Sequence, residues 1–230
     1  MIRGLDVFTS VLATLVRLGA GHRVGFAGKR PEKLLELYEF EGCPFCRKVR
    51  EGLSSLDLDA KVYPCPGRGE RFRGEVMKRG GKAQFPFLVD PNTGKEVYES
   101  DDILVYLYAS YGDGHPARGT GPLTTASSSV ASILRSNGRR ARPSRAPSQP
   151  LELWSMEPSP YCRIVREELS SLEIPYVLHN VAAGSPKRES FVVRSGKMMV
   201  PWIRDPNTGK EMFESAEIVS YLRTTYALPA

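Results

Sequence analysis

Seven residues, Asp90-Pro91-Asn92-Thr93-Gly94-Lys95-Glu96, recur unchanged 115 residues later as Asp205-Pro206-Asn207-Thr208-Gly209-Lys210-Glu211. The likeness runs outward from that heptapeptide. Leu35-Glu36-Leu37-Tyr38 answers Leu151-Glu152-Leu153-Trp154, and Cys46-Arg47-Lys48-Val49-Arg50-Glu51 answers Cys162-Arg163-Ile164-Val165-Arg166-Glu167. Glu99-Ser100 and Glu214-Ser215 each precede an Ile-x-x-Tyr-Leu run. Chance does not keep so many matches in register, so the chain is an internal duplication, and one copy must fold as the other does. A length of 230 residues with 41% hydrophobic content is enough for two small cored units.

Reading one copy predicts its elements. Leu34 to Phe40 is a short apolar strand that ends at a turn through Gly42 and Cys43. Apolar positions at Phe45, Val49, Leu53 and Leu56 are spaced three and four apart, which predicts a helix over Pro44–Leu56. Pro44 sits in its first turn, where a missing N–H does no harm. Lys61–Tyr63 reads as a second strand and Gly67–Gly81 as a basic helix. Phe87–Val89 and Glu96–Tyr98 make a hairpin around Pro91-Asn92-Thr93-Gly94, and Asp101–Tyr111 closes the copy as a helix capped by Ser100. The order is βαβαββα, repeated over Leu151–Tyr226. The fold class is α/β (α+β), with a mixed four-stranded sheet flanked by helices in each unit.

The remaining segments are an arm, 1–33, with an amphipathic helix from Val7 to Leu18, and a connector, 112–150, between units at 34–111 and 151–230. Leu123–Ser136 is a candidate helix within the connector, and Gly138–Pro150 is expected to be extended. The net charge of +6 is concentrated outside the units: six Lys/Arg face two acids in the arm, and six Arg face Asp113 alone in the connector. An Arg/Ser/Pro-rich connector is expected to be solvated, and with no aromatics interleaved to stack on bases it does not read as a nucleic-acid surface. No apolar run reaches the length of a transmembrane helix, and no secretory signal or full transit peptide is visible.

Chemistry centres on Cys43-Pro44-Phe45-Cys46, set between a strand and the first turn of a helix. That spacing puts Cys43 at the N-cap, facing unpaired N–H groups and the positive end of the helix dipole, which lower a thiol pKa and favour the nucleophilic thiolate. Arg47 and Lys48 are expected to add positive charge there. Cys46, one turn on and less exposed, can resolve a mixed disulfide on Cys43. The alternative, half of a zinc site, would need two more ligands. Cys65 is one candidate, but the three histidines are scattered, so no metal is expected. Four cysteines with one close pair suit a reducing compartment. In the second copy the motif is Ser159-Pro160-Tyr161-Cys162: the attacking position is Ser, and dithiol exchange within that unit is ruled out. Cys162 is then a small core residue. Cys65 is a loop thiol or an auxiliary thiol near the groove, and Arg68, Arg71 and Arg73 are either carboxylate-binding groups or a solvated basic face.

The Cys-Pro-Phe-Cys segment resembles glutaredoxins and the N-terminal, thioredoxin-like domain of glutathione transferases. With the following Arg-Lys-Val-Arg it is especially similar to membrane-associated prostaglandin E synthase type 2 and omega-type transferases. The tandem arrangement over about residues 34–230 resembles a plastid family of double thioredoxin-like proteins from plants and algae. The resemblance implies glutathione as co-substrate, with no tightly bound cofactor. Pro86 after Phe85, and Pro201 after Val200, match the cis-proline of the superfamily, whose preceding residue pairs with the cysteinyl part of glutathione. Glu99-Ser100 and Glu214-Ser215 match the transferase motif that holds the γ-glutamyl end. The implied sites are therefore Cys43 and Cys46 for catalysis and Pro44, Phe45, Phe85, Pro86, Glu99 and Ser100 for glutathione. A degenerate second site comprises Ser159, Cys162, Val200, Pro201, Glu214 and Ser215. The Gly-Gly-x-Asp element of glutaredoxins is missing, and so is the all-helical domain of transferases.

Three functions are compatible with this reading. The first is a glutathione-linked thiol–disulfide oxidoreductase acting on protein disulfides. The second is a non-catalytic glutathione-binding or protein-interaction scaffold, and the third a glutathione-dependent isomerase or transferase. The resemblance implies the plastid stroma as location, and otherwise the cytosol.

Overall fold

A computed structural model describes residues 4–17, 19–25, 28–135 and 137–229. The predicted helix ends at Leu18 and Ser136 lie outside the described residues.

The first unit runs β1 (Leu35–Glu39), α2 (Pro44–Ser55), β2 (Ala60–Pro64), α3 (Arg73–Gly80), β3 (Phe87–Asp90), β4 (Lys95–Tyr98) and α4 (Ser100–Tyr111), preceded by α1 (Gly4–Val16). After α5 (Pro122–Leu134) the second unit repeats the order: β5 (Leu151–Ser155), α6 (Pro160–Ser171), β6 (Tyr176–Asn180), α7 (Lys187–Ser195), β7 (Trp202–Asp205), β8 (Lys210–Phe213) and α8 (Ser215–Tyr226). Both units are the predicted thioredoxin-like βαβαββα. In each, the first two strands pair in parallel and the last two antiparallel, which gives the mixed four-stranded sheet.

Two predicted boundaries move. Gly67–Phe72 is loop, and α3 begins only at Arg73, because Gly67 instead pairs its backbone with the connector: its N–H donates to the Arg139 carbonyl (2.7 Å) and its carbonyl accepts from Ala141 N (2.9 Å). The cap of α4 is Glu99, at φ 62, and Ser100 is the first helical residue.

The repeated heptapeptide proves to be a fastener for the fold. Asp90 Oδ1 accepts from Asn92 N (2.8 Å), and Gly94 takes φ 73 to close the turn, a conformation glycine reaches without a Cβ penalty. Asp90 Oδ2 accepts from the hydroxyls of Tyr106 and Tyr111 on α4 (both 2.5 Å), and Asn92 clasps the backbone of Lys33 ahead of β1. Asp205, Tyr221, Tyr226 and Asn207 repeat these bonds, with Gln149 in place of Lys33. The Ile-x-x-Tyr-Leu runs supply one tyrosine of each set, Tyr106 and Tyr221.

The two sheets fuse. Strand β2 pairs antiparallel with β6, Lys61 opposite Val177, giving one eight-stranded sheet in the order β4-β3-β1-β2-β6-β5-β7-β8. Each half keeps its own core beneath its helices. One is built on Leu35, Leu37, Val49, Leu53, Ile103 and Leu107, the other on Leu151, Leu153, Val165, Leu169, Ile218 and Leu222.

The seam between the halves is charged and reciprocal. Arg50 of α2 donates to Glu157 (3.2 Å), and Arg166 of α6 donates to Glu41 (2.9 Å), all four side chains buried. Burying such charges is tolerated only with partners in place, so the seam fixes the register of the two units. The flanking helices are exchanged. Helix α1, which leads into the first unit, packs on α6 of the second, and α5, which leads into the second, packs on α2 of the first. Arg17 then donates to Glu51 (2.9 Å), and Arg135 to Glu167 (2.6 Å). The duplication therefore includes these helices: Ser10, Ala13 and Arg17 correspond to Ser128, Ala131 and Arg135.

The expected solvated connector is corrected by these contacts. Arg135 is buried against Glu167, Arg139 Nε donates to the Gly42 carbonyl (2.9 Å), and Arg145 N donates to the Tyr226 carbonyl (2.7 Å). Three of its arginines, Arg135, Arg139 and Arg142, reach carboxylates or carbonyls of the two units. No helix among the described residues is long and apolar enough to cross a membrane.

Candidate functional site

Cys43 occupies the N-cap of α2 in extended conformation, φ −87° and ψ 125°, with Pro44 as the first helical residue. Its Sγ accepts from the backbone N–H of Cys46 at 3.3 Å. Burial acts to raise this thiol, but the Cys46 thiol and the backbone N–H groups of Cys46 and Phe45 outweigh burial and leave Cys43 below the ordinary thiol value. Burial and the adjacent Cys43 push Cys46 well above it. One thiol is thus prepared to be thiolate and the other to stay protonated. None of the four cysteines forms a disulfide.

Arg47 and Lys48 do not serve Cys43 as the sequence predicts. Lys48 points away to Asp101 of α4 and to Thr125 Oγ1 of α5 (2.8 Å). Arg47 is buried in the seam, with Nε and Nη1 unpaired among the described residues. Their places on α2 turn them toward α4, α5 and α6, and the thiolate relies on N–H dipoles instead.

A hollow of about 330 Å³ opens beside Cys43, walled by Phe40, Gly42, Pro44, Gly67, Arg73, Phe85 and Arg139. The Arg73 guanidinium lies 4.7 Å over the Phe85 ring, and Phe40 meets Phe85 edge-on. Arg139 crosses Gly42 so closely that a Cβ there would stand 2.3 Å from Arg139 Cγ. Helix α5 touches the same corner through Ser128 Oγ, which donates to the Pro44 carbonyl at 2.7 Å. Cys43 keeps only 3% of its surface exposed as a result.

Of the residues expected around glutathione, Pro44 and Phe85 wall the hollow. The Phe85–Pro86 and Val200–Pro201 bonds are both cis. Phe45 is exposed and turned out of the hollow, Ser100 is buried in the first turn of α4, and Glu99 is exposed with its carboxylate accepting from Gln84 Nε2. Cys65 lies in the loop after β2, as one expectation had it, and does not wall the hollow: it is fully buried in a cluster with Tyr38, Val76, Phe87 and Val89, and burial pushes its pKa up. Arg71 is committed to the second unit, donating to the carbonyls of Leu172 (2.7 Å) and Glu173 (2.9 Å). Among the described residues no His, Cys, Asp and Glu side chains gather as a metal site.

The second unit keeps the same frame around a hydroxyl. Ser159 caps α6, its Oγ accepting from Cys162 N at 3.3 Å, and Cys162 is fully buried. Glu214, at φ 67, precedes Ser215 as Glu99 precedes Ser100. Helix α1 closes over this end: Ser10 Oγ donates to the Pro160 carbonyl (3.2 Å) and Thr14 Oγ1 to that of Pro158 (2.8 Å).

Sequence reading missed Arg139. Arg139 sits in a segment with no periodicity, and its target, Gly42, is 97 residues away. The faint repeat of Ser-x-x-Ala-x-x-x-Arg in α1 and α5 would have shown that the arm and connector belong to the duplicated unit.

Comparison with curated proteins and with solved structures returned no match. The family described as glutathione S-transferase, N-terminal domain, matches twice, over residues 37–116 and 153–230. Those two stretches are the two βαβαββα units, and together they span most of the sequence. The chain belongs to the glutathione S-transferase N-terminal domain family and carries that domain in tandem.

Proposed function

We propose that the protein is a glutathione-linked thiol–disulfide oxidoreductase in which Cys43 attacks and Cys46 resolves, with the second unit as a binding and structural partner. The observation that carries this reading is the pairing at the start of α2: a cap thiol lowered by N–H donors beside a partner thiol held protonated, at the edge of a hollow. Cys43 thiolate attacks a glutathione mixed disulfide and forms a new S–S bond, and the released thiolate takes a proton from water. Cys46 then attacks Cys43 and frees the bound group as a thiol. Arg73 and Arg139 at the rim offer charge for the carboxylates of glutathione. Reduction of a glutathione mixed disulfide, coupled to glutathione oxidation, tests this: Cys43→Ser should fall to the uncatalysed rate, and unchanged turnover would refute it.

The near-complete burial of Cys43 beneath Arg139 favours a second reading, a glutathione-binding scaffold without turnover. It predicts saturable glutathione binding by the wild-type chain with disulfide reduction at background. The likeness to plastid double-domain proteins makes the stroma the proposed location, and organelle fractionation that recovers the protein in the cytosol would refute that.

A further inference from the structure

Helices α3 and α7 each end at a left-handed glycine, Gly81 and Gly196, so Phe72, Glu75 and Arg79 of the first unit correspond to Lys187, Ser190 and Arg194 of the second. On the strands beneath, Tyr38 beside Tyr63 answers Trp154 beside His179. In the first unit the chain itself fills this space. Tyr38 and Tyr63 stack at 4.7 Å, the Phe72 ring meets Tyr63 edge-on at 5.2 Å, and Tyr38 Oη donates to the Glu75 carboxylate (2.7 Å). Arg79 is held there by three carboxylates, Glu96 (2.9 Å), Glu36 (3.3 Å) and Glu75 (3.4 Å).

The second unit keeps the aromatic floor and lacks the plug. Trp154 stacks on His179 at 4.2 Å, with Phe191 alongside Trp154. Lys187 carries no ring to replace that of Phe72, and its ammonium turns to Asp59 (2.5 Å) and Asp57 (3.2 Å) of the first unit. Ser190 is too short to replace Glu75, and its hydroxyl donates to the Lys187 carbonyl of its own helix (2.9 Å). A hollow of about 330 Å³ is left, floored by Trp154 and His179 and walled by Phe191, Lys187, Ser190 and Arg194. The arginine is released along with the space. Arg204 of β7, standing where the first unit has Val89, faces Glu152 (2.8 Å) and Glu211 (3.3 Å), the counterparts of Glu36 and Glu96. Among the described residues the one carboxylate within 4 Å of Arg194 is Glu152, at 3.8 Å, and its guanidinium lies 5.4 Å from the centre of the Trp154 ring.

We propose that this hollow binds a small aromatic carboxylate, its ring in the place that Phe72 takes in the first unit and its acid group in the place of Glu75. The ring packs against His179 and Trp154, which removes apolar faces of both partners from water. Arg194 offers its N–H groups to the carboxylate. The other cations of the rim are already engaged: Lys187 with Asp57 and Asp59, and His179 with Asp59 through Nδ1 (3.1 Å) and with Glu152 through Nε2 (3.3 Å). Selection for an acid therefore falls to Arg194. The volume suits one ring with a short acid chain. The first unit has no such site, because its own Phe72 and Glu75 occupy it. Trp154 points to the face of β5 opposite Leu153 and Ser155, away from α6 and its Ser159 cap, so the site is separate from the glutathione frame.

The two tryptophans of the chain, Trp154 and Trp202, lie in one cluster at this hollow, so their emission reports on its occupancy. Titration of the full chain with phenylacetate should give a saturable change with a Kd of about 1 mM or below. Phenylacetamide, which keeps the ring without the charge, and acetate, which keeps the charge without the ring, should each bind about tenfold or more weakly. Arg194→Gln should weaken phenylacetate by about tenfold or more, and Ser190→Glu, which restores the first unit's own carboxylate, should do the same. Both positions are exposed, so neither substitution disturbs the core. No saturation by about 10 mM phenylacetate, equal binding of the amide, or unchanged affinity in either variant would overturn the proposal. Cys43→Ser should bind phenylacetate as the wild type does, and a loss of binding in that variant would show that the ligand sits at the thiol instead.

Discussion

The starts of α2 and α6 are two versions of one site. Each has a cap side chain 3.3 Å from the N–H three residues on, a proline in the first helical position and a buried cysteine one turn later. Each unit also carries a cis-proline and a glutamate at positive φ. They differ in one atom of the cap, sulfur against oxygen, and at the end of the preceding strand, where Glu39 answers Ser155. The backbone frame therefore does not depend on the chemistry it carries: proline, cap and turn place the side chain equally well whether or not it can ionise. A frame retained without a nucleophile still has a use, because α6 supplies Arg166 and Glu167 to the seam.

Ser159→Cys makes the largest expected change to this contrast. The introduced thiol should sit on the same N–H donor and alkylate with iodoacetamide at pH 7 roughly threefold or more faster than a free thiol. An unreactive thiol at that position would show that the cap geometry does not activate it.

Removing either reciprocal arginine comes next. Arg50→Ala and Arg166→Ala each remove one of the two arginines that the buried Glu41 and Glu157 share, and should cost about 3–5 kcal/mol in denaturant unfolding. A loss under about 1 kcal/mol for either would mean that the seam is not what joins the units.

Glu39 gives the two halves different responses to pH. Its carboxyl rises from an ordinary 4.5 to about 7 on folding, so its contribution is complete below pH 4.5 and is lost as pH rises through 7. Glu39→Gln should therefore gain stability over the wild type as pH increases, by about 2 kcal/mol at pH 8, and lose that advantage at pH 4. A pH-independent difference would count against the raised carboxyl.

The smallest effects should be equal ones. Gly21 (φ 77) and Gly138 (φ 76) follow the exchanged helices, and a Cβ at either would meet the seam at 3.1–3.4 Å. Gly21→Ala and Gly138→Ala should each cost about 1–2 kcal/mol. Clearly unequal losses would break the correspondence between α1 and α5.

Much of this was legible in the residues. The heptapeptide exposed the duplication because it carries a turn that few sequences can make. Cys-Pro-x-Cys exposed the cap because proline at the first helical position and a polar atom just before it are local requirements. The arginines were misread for the opposite reason. Arg71, Arg135 and Arg139 sit in segments that look basic and solvated, yet the groups they meet lie up to 129 residues away.

The sequence by itself determined two thioredoxin-like units, a capping thiol in one of them and a hydroxyl in the other, since caps, turns and periodicity act over a few residues. Only the tertiary structure decided that the sheets fuse through β2 and β6, that each flanking helix serves the opposite unit, and that Glu39 is buried against Arg50. Those outcomes depend on charges brought together from distant parts of the chain, and a buried charge takes its properties from neighbours that only folding supplies.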